Sequence, residues 1–241
     1  MKRSTVCSVL SILLLIPATL YLGTRLPGRW YYLTSTLIIV ETMIPFFLAF
    51  EKRRPQAREL VTIAVMAAIA AVSRAAFAFI PNFKPIVGII MITGIAFGAE
   101  TGFLTGTVAA FASNFFFGQG PYTPWQMMAY GFGGFLAGLL FHKKRRLHQR
   151  PLLYLAVLTA FGFVGIVAVV GPLLDCCTIF TTGTQLTWAY ALACFASGFP
   201  INVTHGIACG LTMLLLSKPL LDKLDRLKTK YGMMEAGGDG L

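Results

Sequence analysis

Polar and apolar residues along this chain do not alternate; they separate into long apolar blocks divided by short polar or basic joints. A helix that crosses a bilayer needs about 20 predominantly apolar residues, and the blocks at 6–22, 30–50, 59–80, 85–97, 98–117, 124–141, 151–174 and 186–216 meet or approach that length. The pattern predicts helices throughout. The blocks at 85–97 and 98–117 abut with almost no linker, and the former is short. Pro200 interrupts the last and longest block, which reads as one kinked helix rather than two spans.

Composition removes the soluble alternatives. Hydrophobic residues make up 56% of the chain and charged residues 12%, about half the roughly 25% usual in a soluble domain. A soluble enzyme, a disordered regulator and a coiled coil each need far more polar surface. The chain reads as an all-α integral membrane protein whose first partner is the lipid bilayer.

The net charge of +11 would suggest nucleic acid in a soluble protein, but here the basic residues sit between apolar blocks, so no nucleic-acid partner is expected. Their placement orients the chain instead. With the N-terminus inside, the cytoplasmic side receives Lys2 and Arg3, then Lys52, Arg53, Arg54 and Arg58, then Lys143, Lys144, Arg145, Arg146 and Arg150, then Lys218, Lys223, Arg226, Lys228 and Lys230. The outer loops keep only Arg25, Arg29 and Lys84, and both termini are expected in the cytoplasm. Trp30, Trp125 and Trp188 then fall near outer helix ends, where indoles favour the interface. The first block also fits a cleaved signal peptide, since Lys2 and Arg3 precede it, but no A-x-A-like site follows.

Five cysteines, Cys7, Cys176, Cys177, Cys194 and Cys209, show no C-x-x-C spacing and no partner histidines, so neither a metal site nor a redox motif is supported, and the vicinal pair is expected as free thiols. There is no P-loop, H-E-x-x-H or G-x-S-x-G, and no paired intramembrane carboxylates. The chain has no ATPase of its own, no catalytic residues are assigned, and no cofactor is implied. A membrane enzyme acting on a lipid or isoprenoid remains the alternative; it would have to work with isolated Asp175, Glu100 or His205.

Small residues recur at helical spacing. Ala64, Ala67, Ala68, Ala71, Ala75 and Ala78 share one side of the third block, Gly98, Gly102, Gly106 and Ala110 lead to Asn114 and Gly118 in the fifth, and Ala129, Gly133 and Ala137 follow in the sixth. Such lines let helices approach closely in lipid, inside this bundle or against a partner. Phe115, Phe116 and Phe117 mark the bulky end of the fifth block. The run Gly118-Gln119-Gly120-Pro121-Tyr122-Thr123-Pro124-Trp125-Gln126 lies outside in this topology and sets amides and aromatics on an irregular backbone, as a ligand mouth or as an interfacial turn. The loops at 80–85 and 175–185 open on the same side. Arg74 lies within a span, where a charge costs at least about 2.5 kcal/mol unless it is paired or reaches the interface; either Glu41 or a ligand would answer it. Asn202 and His205 lie deeper, and His205 reads as a helix-to-helix hydrogen bond.

Over residues 55–232 the chain resembles the substrate-binding S components of energy-coupling factor (ECF) transporters. The resemblance rests on the alanine-rich block, on Asn114 through Gln126, on Gly198-Phe199-Pro200-Ile201-Asn202 followed by His205, and on the tail Arg226-Leu227-Lys228-Thr229-Lys230-Tyr231-Gly232. It implies a six-helix core at 55–232 preceded by two extra N-terminal transmembrane helices within 1–54 and followed by a short cytoplasmic tail at 233–241. It implies a bacterial cell membrane, a vitamin-like ligand taken from outside, a transmembrane coupling subunit and two ATPase subunits. An A-x-x-x-A motif for docking on the coupling subunit fits Ala64 with Ala68 or Ala67 with Ala71, and the expected ligand-facing set is Arg74, Asn82, Lys84, Asn114, Phe117, Gln119, Tyr122, Trp125, Gln126 and Trp188. Asn202 departs from the acidic residue expected there. Cobalamin is the leading ligand by likeness of the motif loop, and a smaller ring-containing vitamin would suit the same groups.

Overall fold

The computed structural model describes residues 15, 18–19, 21–22, 31–52, 57–142, 151–182 and 187–232. Among them the only regular elements are helices: α1 Tyr31–Lys52, α2 Ala57–Ala76, α3 Ile86–Phe97, α4 Ala99–Phe117, α5 Thr123–Phe141, α6 Pro151–Gly165, α7 Gly171–Thr182 and α8 Trp188–Tyr231. A π-helical segment, Ile166–Val170, joins α6 to α7 without a break. Most of the first expected helix, at 6–22, lies outside the described residues.

Among the described residues, four stretches are long and apolar enough to cross a membrane: Leu33–Glu51, Ala57–Ala76, Leu152–Thr182 and Trp188–Tyr231. Helix α3 is shorter, yet all twelve of its residues are buried. A helix apolar all round belongs in the interior, and α3 is the axis of the bundle, packed against α2, α4, α5 and α8. Its joint to α4 is the single residue Gly98, whose φ of 99° is open to glycine at little cost. The absence of a linker in the sequence is thus a one-residue reversal.

Helices α4 and α5 carry the interior polar and small residues. Thr101, Thr105, Thr107, Ser113 and Asn114 of α4 are all buried. Their glycines meet: a Cβ on Gly106 would lie 2.6 Å from the Tyr130 carbonyl oxygen and 2.7 Å from Gly131 Cα. In lipid such close backbone approach is the main source of helix association, because apolar burial gives no preference for protein over acyl chain. The glycine lines at 98–118 and 129–137 therefore serve the chain's own bundle.

Two expectations are corrected here and one is met. The seventh block continues to Thr182, so Asp175 is helical and the expected loop at 175–185 shrinks to the stretch after Thr182. The last block is one helix of 44 residues rather than two spans, as expected, and it runs past 216 to Tyr231 with Pro200 and Pro219 inside it. At about 1.5 Å per residue it outreaches a hydrocarbon core of about 30 Å by two-fold, and its last turns project beyond. Ala67 and Ala71 are 1% and 3% exposed, packed into the bundle beside Ala70, and so cannot present a face to another subunit. Ala64 and Ala68, by contrast, are exposed among Leu60, Val61, Val65 and Val72.

Helix α1 lies against α4 and α5. Phe46 stacks on Phe103 at 4.1 Å and meets Phe135 edge-on at 5.1 Å. At the end rich in basic residues, Arg58 donates to the Tyr231 carbonyl at 3.1 Å and Lys228 donates to the Ala96 carbonyl. These contacts draw the end of α8 beneath the α3–α4 joint.

Candidate functional site

Arg74 stands in the last turn of α2, where the helix dipole favours a cation. It is 6% exposed, and its Nη1 donates to Ser113 Oγ at 2.7 Å and to Asn114 Oδ1 at 2.8 Å. The Phe117 ring lies 4.3 Å from its guanidinium carbon, close enough for a cation–π contact. Glu41 is not its partner: that carboxylate accepts from Thr19 at 2.6 Å. Among the described residues Arg74 has no carboxylate beside it, and its Nε is buried without a hydrogen bond.

Asn114 links α4 to α5. While its Oδ1 accepts from Arg74, its Nδ2 donates to Gln126 Oε1 at 2.8 Å and reaches Thr123 Oγ1 at 3.3 Å. Thr123 Oγ1 donates to Gln119 Oε1 at 2.9 Å, and Gln119 Nε2 donates to the Phe111 carbonyl at 3.1 Å. Tyr122 Oη donates to the Gly118 carbonyl at 2.6 Å. The motif run is therefore an internally bonded turn that Pro124 carries into α5. Its amides are tied to Asn114, Thr123 and Phe111 rather than standing free.

Trp125 departs from the expected interfacial belt. It is 5% exposed and stacked on Phe180 of α7 at 5.9 Å, with its Nε1 unpartnered. Lys84, half-buried in the loop after α2, feels the Arg74 guanidinium; burial first, then that like charge, lower its pKa. Five residues beyond Trp125 along α5, Tyr130 is fully buried and meets His205 of α8 edge-on at 6.1 Å. His205 lies within electrostatic reach of Lys84 and Arg74, and its Nε2 also lacks a partner. The expected helix-to-helix hydrogen bond from that nitrogen is not made.

Two expected residues fall outside the cluster. Trp188 is 93% exposed at the start of α8, and such an indole suits the lipid interface rather than a pocket. Asn82 is exposed with φ 60°, a left-handed conformation that asparagine tolerates, so it shapes the loop. Sequence reasoning also missed Ser113 and Phe180, and had Thr123 only as a member of the motif run, because their roles depend on neighbours elsewhere in the chain.

A second polar pair lies between α7 and α8. Asn202 Nδ2 donates to Asp175 Oδ2 at 2.7 Å. A Cβ on Gly171 would fall 2.6 Å from Asn202 Nδ2, and one on Gly198 would strike the Asp175 carboxylate, so each glycine admits the opposite polar side chain. Asp175 is therefore not isolated, and the acidic group absent at 202 stands on the neighbouring helix. Cys176, Cys177, Cys194 and Cys209 are free thiols.

No curated protein and no solved structure matched the chain. Residues 55–222, which begin just before α2 and end within α8, match the family model described as ECF-type riboflavin transporter, S component. The all-helical bundle agrees with that match, and the chain belongs to this family of ECF S components, which are transporter subunits and not enzymes.

Proposed function

We propose that this protein is the substrate-specificity subunit of an ECF-type ATP-dependent importer, capturing a vitamin or related micronutrient at the Arg74 end. The observation that carries this reading is the group of buried, unpartnered polar atoms there: Arg74 Nε, Trp125 Nε1 and His205 Nε2. Native interiors rarely leave such groups unsatisfied, and a ligand with hydrogen-bonding groups would satisfy them. The distribution of lysine and arginine supports an outward-facing Arg74 end with both termini in the cytoplasm, and the membrane in this reading is a bacterial cell membrane. The exposed ridge of Ala64 and Ala68 on α2 is the face for the coupling subunit, through which two ATPase subunits drive release. The core occupies 55–232, with the two N-terminal helices as an addition to it.

Cobalamin is the ligand to which the motif loop points, and riboflavin is the ligand in the family's own description. A thermal-shift and binding panel containing both, with other vitamins and their precursors, tests the proposal on purified protein without ATP. A ligand bound with micromolar or better Kd is the expected outcome. A full panel without any binder would overturn the reading.

A further inference from the structure

We infer that the Arg74 end takes an anionic group, a phosphate or a carboxylate, carried by the captured micronutrient. This deepens the proposed reading as an S component and rests on it. A guanidinium cannot shed its proton in a protein, so a buried one needs acceptors and a countercharge. Ser113 and Asn114 supply neutral acceptors to Nη1 alone. Nε–H, 94% buried with the rest of the residue, has none.

Among the described residues three carboxylates bond to other partners, although Glu41 Oε2 is itself buried without one. Asp175 accepts from Asn202, Glu41 accepts from Thr19, and Glu59 accepts from Thr101 near the opposite end. Lys84 adds a second positive group within reach of the first and makes no hydrogen bond or ion pair among the described residues. Burial first, and then the guanidinium, lower its pKa. Trp125 Nε1, an obligate donor, is also unpartnered. Unsatisfied donors with excess positive charge match an oxyanion, which brings only acceptors and the missing negative charge.

The experiment uses the full chain in maltoside micelles free of phospholipid, with inorganic phosphate and acetate as first probes against chloride at equal ionic strength. Phosphate or acetate is expected to raise the Tm of the wild type, and Arg74→Gln or Lys84→Gln to remove most of that shift. Arg74→Gln keeps an amide to bond Ser113 and Asn114, and Lys84→Gln is the second variant should Arg74→Gln fail to fold. Equal shifts in wild type and variants, or no shift in any, overturn the inference.

A second arm compares riboflavin with riboflavin 5′-phosphate and biotin with its carboxamide. At least one anionic member is expected to bind tenfold or more tightly than its neutral partner, and the preference to vanish in the variants. Tight binding of a neutral vitamin that neither variant weakens would overturn the anion site and leave the S-component reading intact. An Arg74-dependent phosphate shift with no vitamin binder in the wider panel would do the reverse. In a third arm, phosphatidylglycerol is added to the micelles. Protection by this lipid but by neither phosphate nor acetate, lost in Arg74→Gln, would assign the site to a headgroup and overturn its assignment to the ligand.

Discussion

Gly102 of α4 and Gly134 of α5 pass so closely that a Cβ on either would collide with the other's carbonyl oxygen. The obstacle is backbone, which cannot swing aside as a side chain can. Alanine at Gly134 must therefore push the two helices apart, and overpacking of this kind typically costs about 1–3 kcal/mol. Gly134→Ala is expected to lower the Tm of the purified protein by several degrees, while alanine at exposed Gly118 is the control for a φ of 94° without a clash. An unchanged Tm for Gly134→Ala would mean that the two helices are not in contact.

The α2 alanines divide into two faces with opposite predictions. Ala64→Leu with Ala68→Leu adds bulk to an exposed ridge, so it is expected to reduce recovery of the coupling subunit about tenfold in pull-downs with the Tm unchanged. Ala67→Leu with Ala71→Leu adds bulk to buried positions and is expected to lower the Tm first. A normal Tm in the second pair together with lost recovery would reassign the docking face.

The helices were legible because length and apolarity alone decide a span, and the blocks at 85–97 and 98–117 abut where the structure has the Gly98 joint, although the sequence did not show the reversal itself. Arg74 was legible as an anomaly, a charge where lipid or protein surrounds it. Its partners were not: Ser113 and Asn114 lie some 40 residues away, and nothing in the sequence distinguishes them from Glu41. Periodicity placed the alanines of α2 on one side but could not say whether that side faced the bundle. A shift of one residue, from Ala67 to Ala68, moves a side chain about 100° around the helix and from interior to surface. Trp125 misled because an indole at a helix end suits the interface and the core equally well until Phe180 is seen against it.

Topology can be read by labelling once the native cysteines are replaced. Pro121 is exposed in the turn before α5 and Lys223 is exposed near the end of α8, whereas Thr123 is buried and bonded, and Gln149 lies outside the described residues. Pro121→Cys is expected to react with an impermeant thiol reagent in intact cells, and Lys223→Cys only after the cells are opened. The opposite pattern would invert the assigned orientation.

Trp125 and Trp188 separate a ligand contact from a lipid contact. Truncating buried Trp125 to alanine would open a cavity costing about 3–5 kcal/mol, and any loss of binding would then be confounded with unfolding. Trp125→Phe keeps an aromatic face for Phe180 and removes the indole N–H that has no partner within the chain. A net hydrogen bond contributes about 0.5–1.5 kcal/mol, so affinity for the bound vitamin is expected to fall roughly two- to tenfold while the Tm stays within a few degrees. Trp188→Ala, at 93% exposure, is expected to leave affinity within about twofold. Unchanged affinity in Trp125→Phe would remove the indole from the ligand's donors, and equal losses at both positions would point to weakened membrane packing instead of a lost contact.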